Sequence, residues 1–237
     1  MYGFGSGSYL LYVLLPSLAL SMYARWRVNH AYATWSRIAN ERGLTGVDTA
    51  RTLMEARGLT QIGIEQIPGM LTDHYDPRSK VIRLSESSLQ SSVAAMAVVA
   101  HELGHAEQDK VGDAMLNLRA ALVPAANLGS GLATWLIIGG FALMRFGGGT
   151  LGTLVAWAGV MLFGVAVLFT LVTLPVEFDA SRRAKRWLSE LGLVSAGQAA
   201  GVNAVLDAAA LTYVAAAAGA VLQLLYFASL LTGGRRR

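Results

Sequence analysis

The stretch 150–174 is the feature that most constrains the fold, because its 25 residues contain no charged side chain. About 20 apolar residues in a helix are enough to cross the hydrocarbon core of a bilayer. Three other apolar stretches lie at 9–23, 120–144 and 211–231. The sequence therefore predicts a mainly α-helical, polytopic membrane protein with about four spans, integrated as a single unit over residues 1–237.

The composition supports this class. Charged residues make up 14% of the chain, whereas soluble domains usually carry about 25%. The net charge of +4 comes from scattered arginines and not from a basic stripe with interleaved aromatic residues, so we expect a lipid bilayer and no nucleic acid among the partners. The chain has no cysteine, which excludes disulfides and thiolate metal sites and leaves only nitrogen and oxygen ligands.

Two polar segments, 25–119 and 177–210, lie between the predicted spans. They carry 11 and four Lys and Arg residues, against one in the connection near residue 145. Because positively charged loops tend to stay on the cytoplasmic side, both segments are expected there. Four spans would then place Arg235–Arg237 on the opposite side, against the same rule.

The first polar segment predicts a small α+β region. Helices are expected over 25–42 and 47–57. Thr45 or Asp48 is suited to cap the start of the second helix, and Gly58 is suited to end it.

A strand is expected over 62–67. Two further strands, 71–75 and 80–84, flank the turn residues Asp76-Pro77 and predict a short β-hairpin. The strand 80–84 is either scaffold or a sheet edge that pairs with an extended substrate.

The sequence His101-Glu102-Leu103-Gly104-His105 ends the apolar run 92–100, which contains neither Pro nor Gly and predicts a buried helix. Positions i and i+4 share one face of a helix, so both imidazoles can point at one metal ion, most often Zn²⁺. Glu102 lies beside this pair and is available as a base. The alternative is a buried helix whose histidines bond to backbone carbonyls, but two His and a Glu are costly to bury without partners.

A zinc site needs at least one more ligand, and the chain has only four His, at positions 30, 74, 101 and 105. A third histidine six residues after the motif is excluded, because position 111 is Val and position 108 is Gln. Glu177 is the best candidate: Pro175 is expected to end the preceding span, and Glu177 then begins a helical stretch, where a carboxylate also favours the helix dipole. His30 and His74 remain alternatives.

Three blocks of sequence carry a family resemblance: 73–85 (DHYDPRSKVIRLS), 97–108 (AVVAHELGHAEQ) and 174–184 (LPVEFDASRRA). Together with the spacing of the apolar segments, they resemble the YugP-type neutral zinc metallopeptidases of bacterial membranes. That family is more distantly similar to the HtpX-type membrane proteases. The resemblance covers nearly the whole chain and implies a zincin-like catalytic region in a protein of the bacterial inner membrane.

The resemblance also implies the roles of individual residues. His101, His105 and Glu177 would bind zinc in a gluzincin site, and Glu102 would be the catalytic base. The HtpX-type pattern places an Asp four residues after the glutamate ligand, whereas this chain has Asp179 two residues after it and Ser181 at the fourth position. Asp179 or Ser181 is therefore expected to contact the ligand side chains on the side away from the metal and to orient them.

The predicted function is that of a zinc-dependent membrane endopeptidase whose active site faces the cytoplasm. Its substrates would be proteins or peptides in or near the membrane. Arg183 and His74, and also His30, are candidates for contacting the substrate or stabilising the oxyanion. The competing hypothesis is a non-proteolytic membrane protein that binds a metal or a partner at the same site. A transporter is disfavoured, because the four spans carry essentially no ionisable side chains.

Overall fold

The computed structural model describes residues 6–233. The predicted topology of Arg235–Arg237 therefore lies outside the described residues. The chain forms two compact units. Within the described residues, the first unit comprises 6–23, Leu118–Thr173 and 213–233, and the second comprises Ala24–Asn117 and Leu174–Thr212.

Seven α-helices and three strands make up the described chain. The helices are α1 (Ser6–Tyr9), α2 (Leu15–Trp35), α3 (Gly46–Arg57), α4 (Val93–Lys110), α5 (Ala114–Arg145), α6 (Gly149–Glu190) and α7 (Ala196–Gly233). The strands are β1 (Gly63–Ile67), β2 (His74–Asp76) and β3 (Val81–Ser85). A π-helical turn (Leu10–Leu14) joins α1 to α2, and a 3₁₀ turn (Glu86–Ser88) follows β3.

Four helical stretches within residues 6–233 are long and apolar enough to cross a membrane: Gly7–Trp35, Ala114–Arg145, Gly149–Glu190 and Ala196–Gly233. The small sheet accompanies this helical majority. The predicted fold class, a mainly α membrane protein with a small β region, is therefore confirmed.

The first unit is built on close helix packing. At Gly140 of α5, a Cβ would lie 2.5 Å from the backbone nitrogen of Ala156 in α6. At Gly159 of α6, a Cβ would lie 2.9 Å from the carbonyl oxygen of Ala133 in α5. Small residues at such crossings let two backbones approach, which is how helices associate in lipid.

The second unit has its own apolar core, formed by α3, α4, the inner face of the sheet and the ends of the long helices that belong to this unit. A capping box starts α3: the Thr45 hydroxyl accepts from the Asp48 N–H, and the Asp48 carboxylate accepts from the Thr45 N–H. Gly58 ends the helix in the left-handed conformation, with φ +63°. The predicted caps are confirmed.

The sheet has the order β1-β3-β2, with β3 parallel to β1 and antiparallel to β2. The predicted hairpin is thus present, but the suggestion that 80–84 is a sheet edge is wrong. β3 is the central strand and is already paired on both sides. Its side chains Ile82 and Leu84 are buried in the core, so β3 serves as scaffold, and β1 and β2 are the edges.

Two predicted helix boundaries are wrong. Pro175 does not end a helix and lies inside α6, so Glu177 is not in a first turn. A proline costs the helix one hydrogen bond, a loss that long membrane helices tolerate. The helix expected to reach residue 42 ends at Trp35, because the chain beyond it pairs instead with the start of α4, where the Val93 N–H donates to the Ile38 carbonyl.

Candidate metal centre

Helix α4 carries the sequence His101–His105 at the end of a well-packed segment. Ser92 caps its first turn, with its hydroxyl accepting from the Ala95 N–H at 3.1 Å. Nearly the whole apolar run 93–100 that follows is buried. His101 and His105 follow on one helical face, and their rings meet edge to face with centroids 4.8 Å apart. Packing of the run therefore fixes where both imidazoles lie.

Glu177 of α6 meets both histidines. Its Oε2 lies 3.2 Å from His101 Nε2 and 3.5 Å from His105 Nε2. The carboxylate is buried, with 2% of the residue exposed. One donor atom from each of the three residues lies within 4.8 Å of the others. The structure therefore brings together the three residues that the sequence predicts as ligands.

This donor set fits zinc. Two imidazole nitrogens and one carboxylate oxygen form one of the ligand sets of catalytic zinc sites. With bonds of about 2.0–2.1 Å in a tetrahedral arrangement, ligand atoms lie about 3.3–3.4 Å apart. The two separations from Glu177 Oε2, 3.2 Å and 3.5 Å, bracket that value, and the whole set of three donor atoms lies within 4.8 Å.

The other ring nitrogen of each histidine also has a partner. The Ser181 hydroxyl lies 3.1 Å from His101 Nδ1, and Gln108 Oε1 lies 2.9 Å from His105 Nδ1. Asp179 does not contact a histidine directly in the described hydrogen bonds; its carboxylate accepts from Gln108 Nε2 at 3.1 Å. Such outer contacts orient metal ligands and raise their basicity.

Gln108 is the site residue that sequence reasoning missed. Position 108 entered the sequence argument only where a third histidine at position 111 was excluded. The available signal was its spacing, three residues after His105 on the same helical face. A glutamine at that position becomes informative once it is known to be fully buried, with 0% of the residue exposed.

Glu102 points toward strand β2. Its Oε2 accepts a hydrogen bond of 3.0 Å from the backbone N–H of Tyr75. Burial raises the pKa of the Glu102 carboxyl, and the charge of Glu177 adds to the rise, while His101, His105 and the Tyr75 N–H oppose it. The raised pKa moves the carboxyl toward the range in which a general base works best.

The comparisons with known proteins agree with this geometry. A family model described as "Putative neutral zinc metallopeptidase" matches residues 10–232. The chain belongs to this family. It is also 40% identical, over 226 residues, to the protein described as "Putative membrane protease YugP" of Bacillus subtilis (strain 168). That match covers 95% of this chain and 97% of the relative. No solved structure matches the chain.

The other two histidines of the chain, His74 and His30, make contacts of their own. His74 is exposed on β2, where Nδ1 lies 2.9 Å from the Thr72 carbonyl oxygen. Its ring also approaches Arg83, with Nε2 3.5 Å from that guanidinium. His30 is exposed on α2 and stacks on Trp26, with ring centroids 5.5 Å apart. Among the described residues, the group that could hold a metal ion contains neither of them.

Arg183 is held between two carboxylates. Its Nε donates to Asp179 at 2.6 Å, and its Nη1 donates to Glu107 of α4. The guanidinium therefore ties α6 to α4 beside the candidate ligands. Glu107 is a second residue that the sequence did not single out.

Proposed function

We propose that this protein is a zinc-dependent membrane endopeptidase that uses His101, His105 and Glu177 as ligands and Glu102 as base. The proposal is carried by one observation: donor atoms of the three ligands lie within 4.8 Å of one another. The Glu102 carboxylate lies next to them, although metal binding alone does not require it. Membership in a zinc metallopeptidase family supports the same reaction.

His101, His105 and Glu177 would hold the zinc ion, which would supply Lewis acidity to lower the pKa of a bound water and to polarise a peptide carbonyl. Glu102 then takes a proton from the attacking water and delivers it to the leaving amine. The Tyr75 N–H holds one oxygen of this carboxylate at 3.0 Å, so the other oxygen is left to handle the proton. Ser181 and Gln108 keep the two imidazoles oriented throughout.

The substrate would bind along β2. β3 is paired on both sides, so β2 is an edge strand of the sheet. The Tyr75 N–H of β2 donates to Glu102, which places this edge beside the proposed base. An extended peptide can add to such an edge by main-chain hydrogen bonds. Arg183 contacts two carboxylates, and we assign it to holding Asp179 and not to the reacting carbonyl. We propose that His74, exposed on the same strand, contacts the bound substrate.

The activity is tested with purified protein, zinc and an unfolded casein-like substrate. Wild type should cleave it, and Glu102→Gln should retain zinc while losing at least about 100-fold in rate, the lower range for a general base. Glu55→Gln makes the same chemical change on the exposed side of α3 and should leave the rate unchanged. Equal cleavage by wild type and Glu102→Gln would contradict the proposal.

The alternative function is metal binding without proteolysis. It predicts that wild type and Glu102→Gln both hold zinc and that neither cleaves any peptide. Glu102, half-buried and hydrogen-bonded to the Tyr75 N–H, speaks against it, because a ligand set of two His and one Glu is complete without a second carboxylate.

We further propose that the protein resides in the bacterial inner membrane with the site facing the cytoplasm, where it would act on membrane proteins or segments near the bilayer. The Lys and Arg bias of 25–119 supports this side. The absence of cysteine makes labelling direct: Arg78→Cys should react with an impermeant maleimide only in inverted vesicles, and Gly148→Cys only in intact spheroplasts. The reverse pattern would place the site outside.

A further inference from the structure

The side chain of Gln108 has three polar contacts, although none of the residue is exposed to solvent. Its Nε2 donates to the Val176 carbonyl oxygen at 2.9 Å and to the Asp179 carboxylate at 3.1 Å. Its Oε1 faces His105 Nδ1 at 2.9 Å. An amide group has two N–H donors on its nitrogen and acceptor lone pairs on its oxygen, so both donors are used on α6.

These contacts determine which way the amide points. Turning it over would set Oε1 against the Val176 carbonyl and the Asp179 carboxylate, which are both acceptors. It would also leave buried groups unsatisfied, at a cost that proteins avoid. Oε1 must therefore face His105. Because a carbonyl oxygen can only accept, His105 Nδ1 must carry a hydrogen and donate it.

The anchor of the amide is itself held in place. Asp179 accepts from Arg183 at 2.6 Å, and Arg183 reaches back to Glu107 on α4. The two helices are thus joined twice: Gln108 of α4 bonds to Asp179 of α6, and Arg183 of α6 bonds to Glu107 of α4. His101 lacks such an anchor, since its Nδ1 partner, the Ser181 hydroxyl, can donate as well as accept.

We infer that Gln108 is a positioning residue that holds His105 with a hydrogen on Nδ1, so that the lone pair of Nε2 faces the metal position beside Glu177. The inference rests on the proposed metal site, and it states that the Gln108 amide sets the orientation of the His105 ring. Metal-binding histidines take their tautomer from the hydrogen bond at the second nitrogen, and loss of such a partner typically costs 10- to 100-fold in metal affinity.

The chain offers a matched control. Gln198 is also a buried glutamine of the second unit, with 6% of the residue exposed. Among the described residues, its amide bonds to two backbone groups, the Ala39 carbonyl and the Glu41 N–H. Gln198→Leu therefore removes an equivalent buried amide without touching a candidate ligand, and it reports the general cost of that change.

Zinc affinity is measured by competition with a chelating dye, and thermal stability is measured on the same metal-free samples. Both Leu variants should lose stability, but only Gln108→Leu should bind zinc 10- to 100-fold more weakly. Gln108→Glu keeps an acceptor for His105 and should bind zinc more tightly than Gln108→Leu. A pure packing role predicts the opposite order, because a carboxylate facing Asp179 and a carbonyl disturbs the core more than leucine does.

The tautomer of His105 can also be measured in the wild-type protein, where no substitution can impair folding. In cadmium-loaded protein with ¹⁵N-labelled histidine, the cadmium coupling should appear at Nε2 of His105, with a slowly exchanging hydrogen on Nδ1. Coupling at Nδ1, or unchanged zinc affinity in folded Gln108→Leu, would overturn the inference and leave the protease proposal standing. Failure of wild type to bind zinc would instead overturn the proposed function.

Discussion

Gly104 of α4 lies directly against the backbone of Ala180 in α6. A Cβ at position 104 would be 2.7 Å from the Ala180 carbonyl oxygen and 3.0 Å from its Cα. Both are backbone atoms, so no side-chain rotation could relieve the contact. The absence of a side chain at Gly104 is what lets the helix carrying the two histidines come close to the helix carrying Glu177.

We expect Gly104→Ala to push these two helices apart. Overpacking of this kind typically destabilises a protein by about 1–3 kcal/mol, and it should lower zinc affinity at the same time because ligands on both helices are displaced. Thermal unfolding and dye competition measure the two effects. Gly139→Ala in α5 is the control, since nothing lies within 4 Å of its added Cβ. Unchanged zinc affinity in Gly104→Ala would show that this approach is not needed.

Glu177→Ala should abolish stoichiometric zinc binding, because it removes the atom that both histidines face. Two histidines alone do not make a tetrahedral site. Metal content after dialysis, measured by atomic absorption, decides the matter. Glu190→Ala removes a carboxylate from the end of the same helix, where it pairs with Arg57, and should leave the zinc content at the wild-type level. Full zinc occupancy in Glu177→Ala would remove this residue from the site.

Tyr75→Phe should slow hydrolysis without changing zinc content. The Tyr75 hydroxyl donates to the Asp109 carboxylate at 2.6 Å, and Lys80 contacts the same carboxylate. These contacts fasten β2 to α4, where the Tyr75 N–H meets Glu102. A hydrogen bond to a charged group contributes about 1.5–3 kcal/mol, so thermal stability should fall by a similar amount. A variant as stable and as active as wild type would mean that the backbone contact does not depend on the hydroxyl.

The stability of the hairpin should depend on pH through Asp76. The Ser79 hydroxyl, the Arg78 N–H and the Arg83 guanidinium hold the pKa of the Asp76 carboxyl well below its ordinary value of 3.8. A lowered pKa in the folded state means that the stabilisation is present above pH 3.8 and is lost as the pH falls through the folded-state pKa.

Asp76→Asn tests this assignment. Wild type should be more stable than the variant at pH 6, and the difference should shrink as the pH is lowered below 3.8, as followed by chemical denaturation. A difference that stays constant across this range would assign the effect to shape and not to charge.

The histidine pair was predictable because i and i+4 spacing puts two side chains on one helical face whatever surrounds them. Glu177 was predicted from its place just after an apolar span and from the resemblance of the block 174–184, with His30 and His74 as alternatives. The expectation that Pro175 ends a helix failed because a proline removes only one helical hydrogen bond, while Asp179 and Arg183 hold the residues after it against α4. The expectation that proline ends a helix uses only neighbouring residues, whereas the continuation of α6 past Pro175 depends on contacts along the whole helix.

Long-range pairing accounts for most of the remaining differences. Nothing in 80–84 indicates that β1 pairs with it in parallel, so the central position of β3 could not be read from its pattern. The role of Gln108 was hidden for the same reason. A glutamine on a helix face says nothing until the Val176 carbonyl and the Asp179 carboxylate are placed opposite it.

His101 and Glu177 stand 76 positions apart in the chain, and this separation has a consequence for biosynthesis. At about 5–20 residues per second, a ribosome needs about 4–15 s to proceed from the first ligand to the last. During that interval the nascent chain carries the histidines and Glu102 but not the third ligand. A nascent chain that has not yet reached Glu177 is therefore unable to complete the candidate metal centre.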